Sequence, residues 1–418
     1  MSNVSERDDR GDFAVLALLR RLALPVVAGL LFAGLAPLGL ASANSDSSAT
    51  HWVATWGGSP VDMGNHNYTG TIRNIVFTSV AGDVVRVRLT NIFGDRPLQI
   101  GDAYIGVSGP DGTIHGPNVP LTFSGARSIT IPQGAEVLSD PVRLSVPELS
   151  DLAVSVFIPH STEQTGHSDS QQTTYITIGT DQAGDSTTAG WTPISSWWFV
   201  DSVDVLAQQP VKGTVVAIGD SITDGYQSTI NANARWPNDL ARRLDARHGR
   251  TLSVADEGIS ANQLLNDTFG PSAGVPALAR FDRDVIDRAG VKDVILLEGI
   301  NDIRGDDAQA DALIAGYEQL IAQAHASGLK IFGGTLTPFK GSDPWSPEEE
   351  QTREAVNQWI LTSGAFDGVI DFAKATADST DPEMFNPAYD SGDHLHPNDA
   401  GYQAMANAID LGMLLGQH

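Results

Sequence analysis

Val215-Val216-Ala217-Ile218 runs without a break into Gly219-Asp220-Ser221-Ile222-Thr223-Asp224-Gly225. Four consecutive apolar residues ending at a glycine read as a short strand buried on both faces, the habit of parallel sheets. A serine placed where such a strand ends, between glycines, stands where α/β enzymes keep their chemistry, outside the carboxyl ends of the strands. Taken alone, Ser221 reads equally as a helix cap, a common use of serine.

Downstream, the pattern alternates between strands and helices. Helical periodicity runs around Asn238 to Arg247, and further strands are expected near Leu252–Ala255, Val294–Leu297, Lys330–Phe332 and Val369–Phe372. Ser346-Pro347-Glu348-Glu349 predicts a helix start, with serine as cap, proline at the first helical position and glutamate at the third. This alternation implies a parallel sheet with helices on both faces.

Upstream, from His51 to about Val205, the period is two. Val85, Val87 and Leu89 alternate with Arg86 and Arg88, and Asp151–Ile158 and Thr173–Ile178 repeat the habit. Turns such as Ala81-Gly82-Asp83 and Gly109-Pro110-Asp111-Gly112 separate these runs. Many short alternating strands predict an antiparallel all-β sandwich or jelly-roll-like domain. The expected division is residues 44–206 for the β-domain and 207–418 for the catalytic α/β domain.

Residues 1–43 read as a secretory signal. Arg20 and Arg21 precede an apolar run from Leu22 to about Leu40, and Ala41-Ser42-Ala43 follows as an A-x-A site. Pro25, Gly29, Gly34, Pro37 and Gly39 interrupt the run, which counts against a membrane anchor. Asp8, Asp9 and Asp12 make the leader unusually acidic, and the arginine pair hints at twin-arginine export. The expectation is a secreted monomer with no stable membrane insertion once the signal is cleaved.

The formal net charge of the 418-residue chain is −26. Nucleic acid is therefore not an expected partner, because phosphate binding needs clustered Lys and Arg. A neutral small-molecule or polysaccharide substrate fits better. There is no cysteine, which removes disulfides, thiolate zinc sites and cysteine nucleophiles.

Three more marked sites follow Ser221. Gly258 lies in Glu257-Gly258-Ile259-Ser260, where an ordinary turn glycine is the simpler reading. Asn301 lies in Glu298-Gly299-Ile300-Asn301-Asp302 and reads equally as a loop tie or a helix cap. In Asp393-His394-Leu395-His396-Pro397 an Asp and a His three apart can meet, fixing the imidazole tautomer for proton transfer from serine. His394, adjacent to Asp393, is read as a bystander.

In this order the four blocks resemble the SGNH hydrolases, also called the GDSL lipase/acylhydrolase family. The similar residues are GDSITDG around Ser221, GIND around Asn301 and DHLHPNDAGY with Asp393 and His396. DEGISAN around Gly258 departs from the pattern: Asp256 stands where the family often has Asn, and Ser260 where it often has Gly. The resemblance spans about Thr214 to Leu411. It implies a flavodoxin-like doubly wound sheet and a serine esterase. In it Ser221 is nucleophile, His396 base and Asp393 orienting acid, with oxyanion donors from the Ser221 and Gly258 amides and the Asn301 side chain. No metal or organic cofactor is implied. Asp220 and Asp302 are expected to organise loops. The stretches WVATWGGSP and VRVRLTNIFGDRPL are similar to the β-domain of a bacterial subgroup that includes carbohydrate acetylesterases, which makes short acyl esters, among them acetyl groups on carbohydrate, the first expectation for substrate.

Three other readings stand beside it. One is a lipase or phospholipase. Another is a metal-dependent hydrolase built on Asp390, Asp393, His394 and His396. The last is a carbohydrate-binding protein using Trp52, Trp56, Trp191, Trp197 and Trp198, for which core packing is the plainer explanation.

Overall fold

The strand Val211–Gly219 is the second strand of a five-stranded parallel sheet and the first of its strands in chain order. The sheet order is Thr251–Gly258, Val211–Gly219, Val291–Leu297, Lys330–Gly334 and Gly368–Ile370. From Val211–Gly219 the chain first pairs on one side, then crosses to the other and continues outward. The order therefore reverses between Val211–Gly219 and Val291–Leu297, the crevice where doubly wound sheets bind ligands. Thr214–Gly219 and Asp293–Leu297 are buried at every position. Because side chains alternate between faces, unbroken burial means that both faces are covered.

The computed structural model describes residues 50–64, 67–207, 210–247, 249 and 251–416. The expected signal over 1–43 lies outside the described residues. Among the described residues no helix is long and apolar enough to cross a membrane.

Helix Trp236–Asp245 buries Trp236, Leu240, Ala241 and Leu244, one stripe at helical spacing. It begins two residues earlier than its periodicity suggested, because Pro237 occupies the first turn, where its missing N–H costs nothing. Helix Pro347–Thr362 starts where its cap signal placed it, with Ser346 accepting from the Glu349 amide at 3.2 Å. The last strand stops at Ile370 rather than Phe372. The Asp371 side chain accepts from the Lys374 amide at 3.1 Å, capping a helix over Phe372–Thr376 instead.

The β-rich part consists mainly of two antiparallel sheets. One is ordered His51–Gly57, Val200–Ala207, Gly82–Thr90, Val142–Val146, with Glu136–Leu138 also on Gly82–Thr90. The other is six-stranded, centred on Tyr68–Phe77 beside Asp151–Thr162. The alternation read from the sequence explains the core between them: Val85, Val87 and Leu89 meet Leu152, Val154, Val156 and Ile158 in one apolar cluster.

This β-rich part is joined to the parallel sheet. Ala54 belongs to the α/β core, and its amide donates to the Ala289 carbonyl at 2.9 Å. From the other strand, the Val254 amide donates to Ser79 Oγ at 3.0 Å.

Candidate active site

Ser221 is the first residue of a one-turn helix, Ser221–Asp224. The helix cap is Asp220, whose Oδ1 accepts from the Ile222 amide at 2.9 Å, so Ser221 is free of that duty. Gly225 closes the turn at φ 88°, a conformation that favours glycine, and its amide returns to the Ser221 carbonyl. Ser221 is only 6% exposed.

The chain's last block brings His396 to it. Ser221 Oγ and His396 Nε2 are 2.8 Å apart, and His396 Nδ1 lies 2.7 Å from Asp393 Oδ2. The other Asp393 oxygen accepts from the Leu395 amide at 2.9 Å and the His396 amide at 2.8 Å, which fixes the tight turn. One carboxylate thus holds both the backbone and the ring. Because it is an acceptor, it places the imidazole proton on Nδ1 and leaves Nε2 to accept from serine. Partial burial works against the Asp393 charge. The hydrogen bonds from His396 and Leu395 outweigh it and hold the carboxyl well below the usual carboxylate range.

His394 turns away from this pair. At φ 62° it directs Nδ1 to Asp390 Oδ2, 2.5 Å away. Among the described residues no three His, Asp or Glu side chains converge as metal ligands.

Asn301 comes from the strand across the crevice, in helix Ile300–Asp306. Its Nδ2 donates to the Asn262 carbonyl at 2.9 Å, which fixes the amide and leaves its second hydrogen for another acceptor. Asp302 accepts from the Leu264 and Leu265 amides at 2.8 Å each, and so holds that loop. Burial pushes its carboxyl up to about 6, against the pull of those amides, and pushes Asp220 up to about 7.

Gly258 ends its strand against the Ser221 helix. A Cβ at this position would lie 2.2 Å from the Asp224 nitrogen, so no larger residue fits without moving the helix. Its amide, expected to face an oxyanion, donates to Asp256 Oδ1 at 3.0 Å. Burial raises the Asp256 carboxyl to about 7, opposed by Arg235 and assisted by Asp224.

Other residues at the site carried no such signal. Tyr226 packs edge-on to His396 with ring centroids 4.7 Å apart and remains 38% exposed. Its carbonyl accepts from the Tyr402 hydroxyl at 2.6 Å. Arg280, fully buried, bonds to the Gly219 and Glu257 carbonyls. Both had to be found in space, since neither lies in a block with recognisable spacing.

The five tryptophans of the β-rich part serve packing. Trp56 and Trp197 meet edge-on at 4.9 Å, and the Trp197 indole donates to the Ile75 carbonyl at 2.7 Å. Trp191 lies under Arg73, Trp52 under Arg86, and Trp198 beside Tyr68. None of the five is exposed.

Residues 217–404 match the model of the GDSL-like lipase/acylhydrolase family. No curated protein matches the chain. Among solved structures, similar folds include the native aryl esterase of M. smegmatis, 17% identical, covering 47% of this chain and 95% of that one, with a TM-score of 0.39. A carbohydrate acetylesterase from Sinorhizobium meliloti is 18% identical over 47% of this chain and 96% of its own, with a TM-score of 0.37. A GDSL-like lipase from Bacteroides thetaiotaomicron is 20% identical over 50% and 93%, with a TM-score of 0.38.

Proposed function

From a chain whose C-terminal part is a GDSL-like lipase/acylhydrolase domain, and which is thereby a carboxylic ester hydrolase, we infer catalysis through an acyl-enzyme on Ser221. The observation that carries this is the continuous hydrogen-bonded line from Asp393 Oδ2 through the His396 ring to Ser221 Oγ, with contacts of 2.7 and 2.8 Å. In this reading His396 Nε2 takes the hydroxyl proton as Oγ attacks the ester carbonyl carbon. The oxyanion is stabilised by the Ser221 amide and the second Asn301 hydrogen, and by the Gly258 amide once it is released from Asp256. The carbon–oxygen bond to the alcohol then breaks, and Nε2 returns the proton to the leaving alkoxide. Water, deprotonated by the same nitrogen, attacks the acyl carbon and frees Ser221.

The same reading extends to substrate. Ser221 and Asn301 are both deeply buried, which favours a small acyl group. The leaving alcohol must approach His396 Nε2, and the exposed ring beside His396 is Tyr226, an apolar surface for a ring-bearing alcohol such as a sugar. Short acyl esters, including acetyl groups on carbohydrate, are accordingly the proposed substrates, acted on outside the cell as the N-terminal signal pattern supports.

Ser221→Ala is expected to abolish hydrolysis of p-nitrophenyl acetate while leaving the circular dichroism spectrum unchanged. Near wild-type activity in that variant would remove the assignment. An acyl-chain series of p-nitrophenyl esters run beside acetylated xylan tests the substrate, and activity that climbs with chain length would favour a lipase instead. Recovery of the protein in the medium or periplasm rather than the cytoplasm tests the location.

A further inference from the structure

His167 belongs to the β-rich half. It ends the short strand Thr165–His167, which pairs with Val61–Asp62 and Trp197–Trp198. It is 57 residues before Asp224, yet its Nε2 lies 3.0 Å from Asp224 Oδ1, and both side chains are buried. On the other side of the ring, Nδ1 lies 3.0 Å from the Ser59 carbonyl, in the Trp-Gly-Gly-Ser-Pro segment. A carbonyl oxygen and a carboxylate only accept hydrogen bonds, so both ring nitrogens must donate. The ring is then an imidazolium. The balance of charges agrees: burial lowers the His167 pKa, but the Asp224 charge and the hydrogen bonds to Asp224 and the Ser59 carbonyl together raise it to about 9.

Asp224 is the last residue of the helix that Ser221 begins. Its second oxygen accepts from the Ser260 amide at 3.0 Å and from Ser260 Oγ at 2.6 Å. One carboxylate therefore connects the Ser221 helix, the loop after Gly258 and the β-rich half. A helix of one turn has almost no cooperativity of its own, so its position depends on what holds its ends. Asp220 holds the front, and the His167–Asp224 pair holds the back.

We propose that His167 is a positioning residue of the catalytic centre, which sets the Ser221 helix against the Gly258 loop by holding Asp224. The proposal rests on Ser221 being the nucleophile. It gives the β-rich half a part in the reaction besides any contact with substrate: it supplies the cation behind the nucleophile. A shift of the helix by a fraction of an ångström would misplace Oγ relative to both His396 and Asn301, and small misplacements of this kind cost up to about 100-fold in rate.

The test uses the full chain and p-nitrophenyl acetate. His167→Gln keeps a donor toward Asp224 but removes the charge. It is expected to lower kcat about 10- to 100-fold with KM within about two-fold, measured well below its melting temperature. Labelling of Ser221 by a fluorophosphonate should slow by the same factor. The double variant His167→Gln/Asp224→Asn replaces the ion pair by a neutral amide pair and should recover part of the lost kcat. It also carries the measurement if the single variant does not fold. An unchanged kcat alongside a lowered melting temperature would show that His167 only holds the fold, and would overturn the proposal. Failure of the underlying assignment would look different: fluorophosphonate would label another residue, or Ser221→Ala would stay active.

Discussion

The Gly258 amide donates to the Asp256 carboxylate at 3.0 Å, two residues back on the same strand end. This places a buried acid on a group that the family resemblance would give to the oxyanion. An ionised Asp256 both occupies the donor and sets a negative charge beside the site where negative charge develops. Asp256→Asn keeps an acceptor for the amide and removes the charge. We expect kcat to rise about two- to five-fold at pH 8, with little change at pH 5, since burial pushes the Asp256 carboxyl up to about 7. The sign for stability follows the same shift. The folded pKa lies above the unfolded value, so the ionised side chain burdens the native state increasingly from about pH 4 to about pH 7, and by a constant amount above that. The melting-temperature gain of the variant should widen over that interval and then level off. A gain that shrinks as pH rises would refute this account of Asp256.

Asn301 should matter to rate without mattering to binding. One of its amide hydrogens is spent on the Asn262 carbonyl, and in the proposed mechanism the other is kept for the oxyanion, a charge that exists only in the transition state. Asn301→Ala is expected to lower kcat about 10²- to 10³-fold, as loss of one oxyanion donor does, with KM nearly unchanged. A rise in KM at constant kcat would place Asn301 in ground-state binding instead.

Asp393→Asn separates holding the turn from orienting the base. The amide oxygen can still accept from Leu395 and His396, but an NH₂ would face Nδ1. The imidazole would then carry its proton on Nε2, pointing at Ser221, and could no longer act as base. We expect kcat to fall about 10³- to 10⁴-fold with the fold retained. The folded Asp393 carboxyl titrates below its unfolded value, so its charge stabilises the fold above about pH 4 and does so less as pH falls further. The variant should therefore be less stable than wild type at pH 7, with the gap closing in acid. Equal melting temperatures at pH 7 would contradict the hydrogen bonding described.

What could be read from the sequence, and what could not, divides along a physical line. Ser221, Asn301 and the Asp393/His396 pair each follow a strand end or share one turn, so local sequence marked them as candidates, each ambiguous alone and given a role only by the family resemblance of the four blocks together. The two fold halves were legible for the same reason, because side-chain period is a local property: Val85, Val87 and Leu89 alternate, while Val215 to Ile218 do not. Boundaries shifted where one side chain decided them, as at Asp371. His167 was invisible, because it meets Asp224 only after the β-rich half closes on the parallel sheet. The occupied Gly258 amide was equally hidden, although Asp256 was visible as a departure from the family pattern.

Arg280 provides the last expectation. It is fully buried, and its guanidinium reaches five acceptors: the Gly219 carbonyl at 2.9 Å, the Glu257 carbonyl at 2.7 Å, Asn262 Oδ1 at 2.9 Å, Ser59 Oγ at 3.1 Å and Asp284 Oδ2 at 3.1 Å. Gly219 lies two residues before Ser221 and Glu257 one before Gly258, and Asn262 is the residue whose carbonyl holds Asn301. One planar group thus ties together the three segments proposed to carry the reaction. Lysine has a single nitrogen with three donors and cannot span that fork. Arg280→Lys should lose about 2–4 kcal/mol of stability, since buried acceptors are left unmet, and kcat should fall about 10- to 100-fold at temperatures where the variant is folded. Denaturant unfolding gives the first quantity and steady-state kinetics the second. A variant that is destabilised yet keeps wild-type kcat would show that the three segments hold their register without the guanidinium.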